Sequence, residues 1–264
     1  METVTITFGD QAENHVGMQK LGSLAEDGFT VAELREIKEE LESKGCECEL
    51  VNLVDYLGNE DIGDGIEAGV LIIRRGVDFI LSELSVPGFP VTSDDLLKEQ
   101  MELEWDSKAK MYGRVVDKHA RHNLCYADYD QEPDYASGKG RIVSFSSIPY
   151  LSAIRSSLSD YFGDKAKDLM AEGNLYYDTS KCGIGAHGDS ERRRVIALRL
   201  GDSMPLHYRW FIGGSPVGEV AEFTLNHGDL YVMSEKAVGT DWKRKNVYTL
   251  RHAAGCAKYL KQLE

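Results

Sequence analysis

The stretch Gly183-Ile184-Gly185-Ala186-His187-Gly188-Asp189-Ser190-Glu191 decides the interpretation of this chain, because it places a His-x-Asp pair just before the apolar run 195–198. His187 and Asp189 are two residues apart, and residues i and i+2 of a strand share a face. One strand end can therefore present both side chains to a single metal ion. With a second histidine from a distant strand they would form the 2-His-1-carboxylate set that binds Fe(II).

The chain offers seven histidines, so the choice of a third ligand is small. His252 lies late in the last predicted strand, and the interval after Asp189 leaves room for the strands that a double-stranded barrel needs. We therefore predict His252 as the third ligand. His227, in a turn before the apolar run 230–233, is the alternative, and a site without a third protein ligand is another.

An α-keto acid that chelates such a metal needs a cation for its far carboxylate, with a tyrosine hydroxyl beside it. Arg251 and Lys258 are the candidates late in the chain. Arg199 is a third candidate, because a charge within an apolar strand is costly unless it is paired. The tyrosine is Tyr176 or Tyr177, directly upstream of the metal segment.

Composition limits the class of protein. Of the 264 residues, 42% are hydrophobic, which is enough for a folded core. The formal net charge of −14 argues against a broad surface that binds nucleic-acid phosphates. We expect no membrane span, no signal peptide, reduced cysteines and an intracellular location, either cytoplasmic or nuclear. The basic clusters 192–194 and 243–245 are predicted to be solvated. Composition does not indicate an oligomeric state.

The order of patterns predicts an α+β protein. Residues 2–8 alternate like a strand, Thr30 and Glu33 form a capping box before a helix that Gly45 ends, and strands follow near 49–54 and 70–73. The segment 91–118 is predicted to be mostly helical, as is 149–172. Short strands follow from about 174 to 252. We predict a small N-terminal α/β unit, residues 1–95, before a double-stranded β-helix (jelly-roll) core with supporting helices, residues 96–264.

These segments resemble the Fe(II)/2-oxoglutarate-dependent dioxygenase superfamily over about residues 110–258. The metal segment, with Asn174-Leu175-Tyr176-Tyr177 before it and an apolar strand ending in Gly201 after it, is similar to the AlkB-type nucleic-acid dealkylases. The run 225–233 resembles the strand of that family that begins with Gly-Asp, and 120–128 resembles its substrate lid. The tail 249–258 departs from this pattern and looks like prolyl hydroxylases, in which a Leu-His-x-x-Cys stretch supplies the distal histidine.

The resemblance implies Fe(II) held by His187, Asp189 and His252, and 2-oxoglutarate as the co-substrate. Its implied co-substrate residues are Asn174, Tyr177, Arg251 and Lys258, and its implied substrate contacts are Arg121, Tyr126 and Glu191. Arg251 and His252 are adjacent, so in a regular strand they face opposite ways.

The function expected from these features is hydroxylation or oxidative demethylation of a C–H bond, with a modified nucleobase in nucleic acid as the substrate. A prolyl- or lysyl-type hydroxylase acting on a protein or peptide is the alternative that the tail and the acidic charge favour. A non-catalytic barrel that binds a ligand or partner is a second alternative. The polar loop 9–19, with Glu13 and His15, is either a metal- or partner-binding loop or a polar turn.

Overall fold

The computed structural model describes residues 2–58 and 65–264, and strands dominate this part of the chain. Two large sheets, almost entirely antiparallel, are accompanied by few helices. The predicted α+β class is therefore confirmed at this level. No helix in the described ranges is long and apolar enough to cross a membrane.

The first eight strands are β1 (Thr3–Gly9), β2 (Gln11–Glu13), β3 (Lys20–Gly22), β4 (Glu47–Asn52), β5 (Gly69–Arg74), β6 (Lys108–Met111), β7 (Arg114–Asp117) and β8 (His122–Ala127). The remaining strands are β9 (Ile142–Ser144), β10 (Met170–Tyr176), β11 (Gly183–His187), β12 (Val195–Gly201), β13 (Met204–Ile212), β14 (Ser215–Leu225), β15 (Leu230–Met233) and β16 (Thr249–Gly255). The helices are α1 (Val31–Ser43), α2 (Gly76–Leu81), α3 (Ser93–Met101), α4 (Pro149–Phe162), α5 (Glu235–Val238) and α6 (Ala257–Leu260).

The larger sheet has eight strands in the order β4-β5-β15-β12-β1-β10-β8-β9, and only the β8–β9 pair is parallel. The smaller sheet has four strands in the order β11-β16-β13-β14. The hairpins β2–β3 and β6–β7 form separate two-stranded sheets. The inner faces of the two large sheets enclose one apolar core, which contains Val70, Ala197, Leu206, Trp210 and Leu250.

Strand β1 explains how both faces of the larger sheet are used. Its apolar residues Val4, Ile6 and Phe8 are fully buried in a second core that includes residues of α1 to α4. Because successive side chains alternate between the two faces, Thr5 and Thr7 point the other way, into a cavity beside the smaller sheet. The threonine alternation of the sequence thus reflects a strand that is buried on both sides.

The predicted capping box is confirmed at the start of α1. Thr30 N donates to Glu33 Oε2 at 2.7 Å, and Glu33 N donates to Thr30 Oγ1 at 3.1 Å. Gly45, at φ 91°, follows the end of this helix. The two partners satisfy amide groups that the first helical turn leaves free.

Two helix predictions were too long. Only residues 93–101 of the segment 91–118 are helical; residues 108–117 form the β6–β7 hairpin, which turns at Tyr112 and Gly113. Helix α4 ends at Phe162 rather than near residue 172, because Gly163 at φ 72° leaves the helical region. Strand β10 then begins at Met170.

The predicted boundary near residue 95 falls within α3. Strand β1 lies between β12 and β10, and β5 pairs with β15. Residues 1–95 and 96–264 therefore contribute strands to the same sheet.

Candidate metal centre

The structure brings His187, Asp189 and His252 together, with ligand atoms all within 4.8 Å of one another. Asp189 Oδ1 lies 3.4 Å from His187 Nε2 and 3.8 Å from His252 Nε2. The two histidines are opposite each other in the β11–β16 pair. This is the donor set of the 2-His-1-carboxylate centres that hold non-haem Fe(II). His227 lies elsewhere, where its Nδ1 accepts a hydrogen bond from Gly201 N.

Both histidines are prepared to act as ligands. His187 Nδ1 lies 2.8 Å from the carbonyl oxygen of Gly185, and a carbonyl can only accept, so Nδ1 carries the hydrogen and Nε2 is free. Burial, followed by the neighbouring His187, lowers the pKa of His252 to about 3. His252 is therefore neutral at physiological pH, which is the form that binds a metal.

Arg192 keeps Asp189 ionised. Burial opposes the charge on Asp189, but Arg192 and the two histidines outweigh it and hold the pKa of that carboxyl below its usual range. Arg192 is only 1% exposed and also contacts Glu172 at 2.5 Å and Glu191 at 2.9 Å. The prediction of a solvated 192–194 cluster was wrong, because carboxylates surround Arg192 and its neighbours Arg193 and Arg194 pair with Glu235 and Asp27.

Gly188, between the two ligands, is required by close packing. A Cβ there would lie 2.3 Å from the Gly239 carbonyl oxygen and 2.8 Å from Trp242 Cβ. We expect Gly188→Ala to cost about 1–3 kcal/mol of stability, as overpacking does, and to weaken iron binding by displacing His187 and Asp189. Urea unfolding and iron titration would measure both effects.

Gly185→Ala is the matched control for that substitution. The atoms nearest to its Cβ would be the end of the flexible Gln262 side chain, which can move aside, so iron affinity should stay close to that of the unchanged protein. Equal losses in the two variants would contradict the role assigned to Gly188.

An inner cavity of about 60 Å³ begins at the three ligands and continues between the sheets. Its polar lining includes Thr5, Asn174, Tyr176, Arg199 and Tyr231. Arg199 is 1% exposed, and its Nε and Nη1 have no hydrogen-bond partner within the described residues, nor has Thr5 Oγ1. Buried donors without partners are costly, so this cavity is suited to an anionic ligand that would satisfy them.

The co-substrate residues predicted from the sequence are only partly found here. Asn174 lines the cavity, and its Oδ1 accepts from Arg121 Nε at 2.6 Å. Tyr176 rather than Tyr177 faces the cavity; the Tyr177 hydroxyl donates to the His119 carbonyl. Arg251 and Lys258, the two cations assigned to the co-substrate, do not line the cavity, because Arg251 stacks on Phe211 and Lys258 is exposed on α6. Arg199, the third candidate, does line it.

An outer cleft of about 340 Å³ opens on the other side of His187 and Asp189. Arg121 and Glu191, two of the predicted substrate residues, line it. So do residues that the sequence did not assign to a substrate: Glu13, Asn14, His15, Lys20, Glu172, Trp242 and Lys243. The prediction for Tyr126 was wrong, since this residue is fully buried and its hydroxyl donates to Gln100 Oε1.

A buried polar network supports the wall of the cleft at Asn14. Lys118 Nζ donates to Asn14 Oδ1 at 2.8 Å, and Asn14 Nδ2 donates to Asp106 Oδ2 at 2.9 Å. Burial lowers the pKa of Lys118 from 10.5 to about 8. Between these values the unfolded chain binds a proton that the folded chain has released, so stability rises with pH across this window.

We therefore expect the contribution of Lys118 to raise the unfolding free energy of the unchanged protein by about 3 kcal/mol between pH 8 and 10.5. In Lys118→Met this contribution should be absent. Urea unfolding of both proteins at several pH values in this range would measure the difference. Parallel pH profiles would contradict the assignment, whatever the absolute stability of the variant.

A larger surface groove, of about 670 Å³, contains none of the three ligands. It is lined by Phe29, Arg193, Glu235 and neighbouring residues, and Arg193 is already paired with Glu235. The three candidate ligands and the buried Arg199 line the inner cavity instead, so we assign the candidate functional site there.

Comparison with known proteins identifies a relative of this chain but gives no information on its activity. No protein-family model matches the chain. A protein of Acanthamoeba polyphaga mimivirus that is described as uncharacterized is 49% identical over 260 residues, which cover 98% of each chain. The protein therefore belongs to the same family as this mimivirus protein.

Proposed function

We propose that the protein is an Fe(II)- and 2-oxoglutarate-dependent dioxygenase whose core is a double-stranded β-helix. The observation that carries the proposal is the joint placement of His187, Asp189 and His252 at one end of a buried cavity that also holds the unsatisfied Arg199. A metal site alone has many uses. A metal site beside a buried guanidinium that has two nitrogens without a hydrogen-bond partner is suited to a ligand that chelates and carries a second negative charge.

The strand order supports the proposed β-helix. From β10 to β16 the chain passes repeatedly between the two large sheets, with β10, β12 and β15 in the larger and β11, the hairpin β13–β14 and β16 in the smaller. Strand β1 pairs with β10 and β12 and brings the total to four strands in each layer. Eight strands in two layers are the pattern of a jelly roll. In this arrangement the N-terminal strand is part of the catalytic core.

Bound Fe(II) would supply the oxidation of a substrate C–H by dioxygen, coupled to decarboxylation of the keto acid. The chain positions the reactants. His187, Asp189 and His252 hold the metal, and Arg199 binds the far carboxylate of 2-oxoglutarate through its planar fork. Burial raises the pKa of Tyr231 to about 12, so its hydroxyl stays protonated and can donate to the same carboxylate.

We propose that the outer cleft binds a modified nucleobase. Trp242 and His15 line this cleft together with Arg121 and Glu191, so it offers aromatic surfaces and polar groups of both charges to a planar ring. The peptide hydroxylase alternative was favoured by the tail and by the acidic charge, and of the tail residues Lys258 is exposed outside the cavity. A non-catalytic barrel that binds a ligand would satisfy the Arg199 donors as well, and it is the donor set His187, Asp189 and His252 at the cavity that favours the dioxygenase.

The test is anaerobic addition of Fe(II) and 2-oxoglutarate, followed by visible absorption spectroscopy. We expect a weak metal-to-ligand charge-transfer band in the unchanged protein and none in His252→Ala. A band that persists in His252→Ala would remove this residue from the ligand set. Absence of the band in the unchanged protein, with Fe(II) shown to be bound, would refute the proposed use of 2-oxoglutarate.

A further inference from the structure

The β6–β7 hairpin, residues 108–117, has a feature that folding does not explain. Tyr112 occupies its turn at φ 51°, followed by Gly113 at φ 78°. The left-handed region disfavours a bulky side chain, and two-residue hairpin turns with positive φ ordinarily use Asn, Asp or Gly. The Tyr112 side chain is also 94% exposed. A strained and exposed aromatic residue gains no packing in return, which points to a functional role.

Basic residues surround this tyrosine in a chain whose net charge is −14. Lys108 and Lys110 lie on β6, and Arg114 begins β7. Within the described residues none of these three cations has a carboxylate at ion-pairing distance, whereas Lys38, Arg75 and Arg155 each have one. Asp117, opposite Lys108 at the base of the hairpin, is the acidic residue of the two strands.

Both ends of the hairpin are anchored to the outer cleft. Asp106, just before β6, and Lys118, just after β7, bind the same Asn14 side chain, and Asn14 lines the cleft. A strand of four residues rises about 13 Å, which corresponds to about four nucleotide steps of 3.4 Å. A single-stranded nucleic acid that places one base in the cleft would therefore reach the hairpin within a few nucleotides of that base.

We propose that the hairpin Lys108–Asp117 binds single-stranded nucleic acid, with Tyr112 stacking on an unpaired base while Lys108, Lys110 and Arg114 neutralise phosphates. Aromatic stacking combined with unpaired cations is how proteins hold single strands without reading sequence. This inference rests on the proposed function, because it supplies the substrate class of that site. The proposal also explains how an acidic protein could bind nucleic acid, because the positive charge that contacts the phosphates would lie on the β6–β7 hairpin.

The test is fluorescence anisotropy of a labelled 20-nucleotide single strand, titrated with full-length protein in EDTA so that binding is independent of iron. We expect Tyr112→Asn to weaken binding about tenfold without changing its salt dependence. Asn tolerates positive φ, so this variant should melt at the same temperature as the unchanged protein or higher. A loss of binding is then not a loss of folding.

The charge variant Lys108→Glu/Arg114→Glu should weaken binding by more than tenfold and lower the slope of log K against log salt by about 1.4, because each phosphate contact on a single strand contributes about 0.7. Its matched control is Lys38→Glu/Lys44→Glu on α1, which carries the same change in charge. Helix α1 packs on β4 and β5, whereas Asp106 bridges to β8, five strands away and so about 24 Å across the sheet. The control should bind like the unchanged protein.

Three results would overturn the proposal: no binding of the oligonucleotide, equal losses in the hairpin and control variants, or binding of anionic phospholipid vesicles in preference to the oligonucleotide. These outcomes are separate from those of the proposed function. A charge-transfer band without oligonucleotide binding would leave the dioxygenase and refute the hairpin. Oligonucleotide binding that depends on Tyr112, without the band, would support the hairpin and refute the dioxygenase.

Discussion

Asp189→Asn is expected to abolish iron-dependent turnover and to lower the affinity for Fe(II) at least about a hundredfold. Asp189 supplies the negative charge of the ligand set, and its Oδ1 lies within 4 Å of both histidine Nε2 atoms. Structural Zn²⁺ sites in zinc fingers, which have four protein ligands, gain about 10–16 kcal/mol in total, so we expect the loss of one ligand here to remove several kcal/mol. Iron retained after gel filtration and succinate formed from 2-oxoglutarate would measure both effects.

Glu191→Gln is the matched control for Asp189→Asn. Glu191 is the next carboxylate along the chain and also contacts Arg192, at 2.9 Å, but it is outside the ligand set. Both substitutions remove one negative charge beside Arg192. We expect Glu191→Gln to retain Fe(II), and equal loss of iron from both variants would show that local charge, rather than ligation by Asp189, holds the metal.

Arg199→Met is expected to have opposite effects on stability and on co-substrate binding. Two guanidinium nitrogens of Arg199 are buried without partners, and a buried uncompensated charge is costly, so an apolar side chain of similar length should leave the apoprotein as stable or more stable. The affinity for 2-oxoglutarate should fall by about 2–5 kcal/mol, which is thirtyfold or more. Iron binding should persist.

Urea unfolding of the apoprotein and titration of the charge-transfer band with 2-oxoglutarate would test both halves of this prediction. Arg251→Met and Lys258→Met are the controls, because both cations lie outside the inner cavity. Arg199→Lys keeps the charge without the bidentate fork and should bind 2-oxoglutarate with intermediate affinity. A normal affinity in Arg199→Met would exclude this residue as the carboxylate anchor.

The local elements of this protein could be predicted where side chains pair with their own neighbours in sequence. The Thr30–Glu33 box, the positive φ of Gly45 and the alternation of residues 2–8 depend on contacts within a few residues, and each was assigned correctly. The β6–β7 hairpin was missed because its charged strands lack an apolar run and its turn uses Tyr112 instead of Asn or Gly.

The residues that form the candidate metal centre could also be chosen from the sequence. The spacing of His187 and Asp189 singled them out as a pair, and the few histidines left little choice for the third position. Strand β11 ends at His187, however, so Asp189 lies just beyond the strand, where its N donates to the Val238 carbonyl oxygen. Their placement within 4.8 Å of one another depends on the β11–β16 pairing, which puts His252 opposite His187.

The amino-acid sequence by itself determined the α+β class, most strands, and the three residues that could bind a metal, because each of these depends on local periodicity and on residue chemistry. The tertiary structure alone decided which cation lines the cavity beside the candidate metal ligands. The sequence prediction assigned Arg251 and Lys258 to the co-substrate, with Arg199 as a third candidate, and only the pairing of β12 with β1 turns Arg199 into the cavity beside Thr5. Contacts between strands far apart in sequence carry no short-range signal, so the cavity and its unsatisfied donors became visible only in the folded chain.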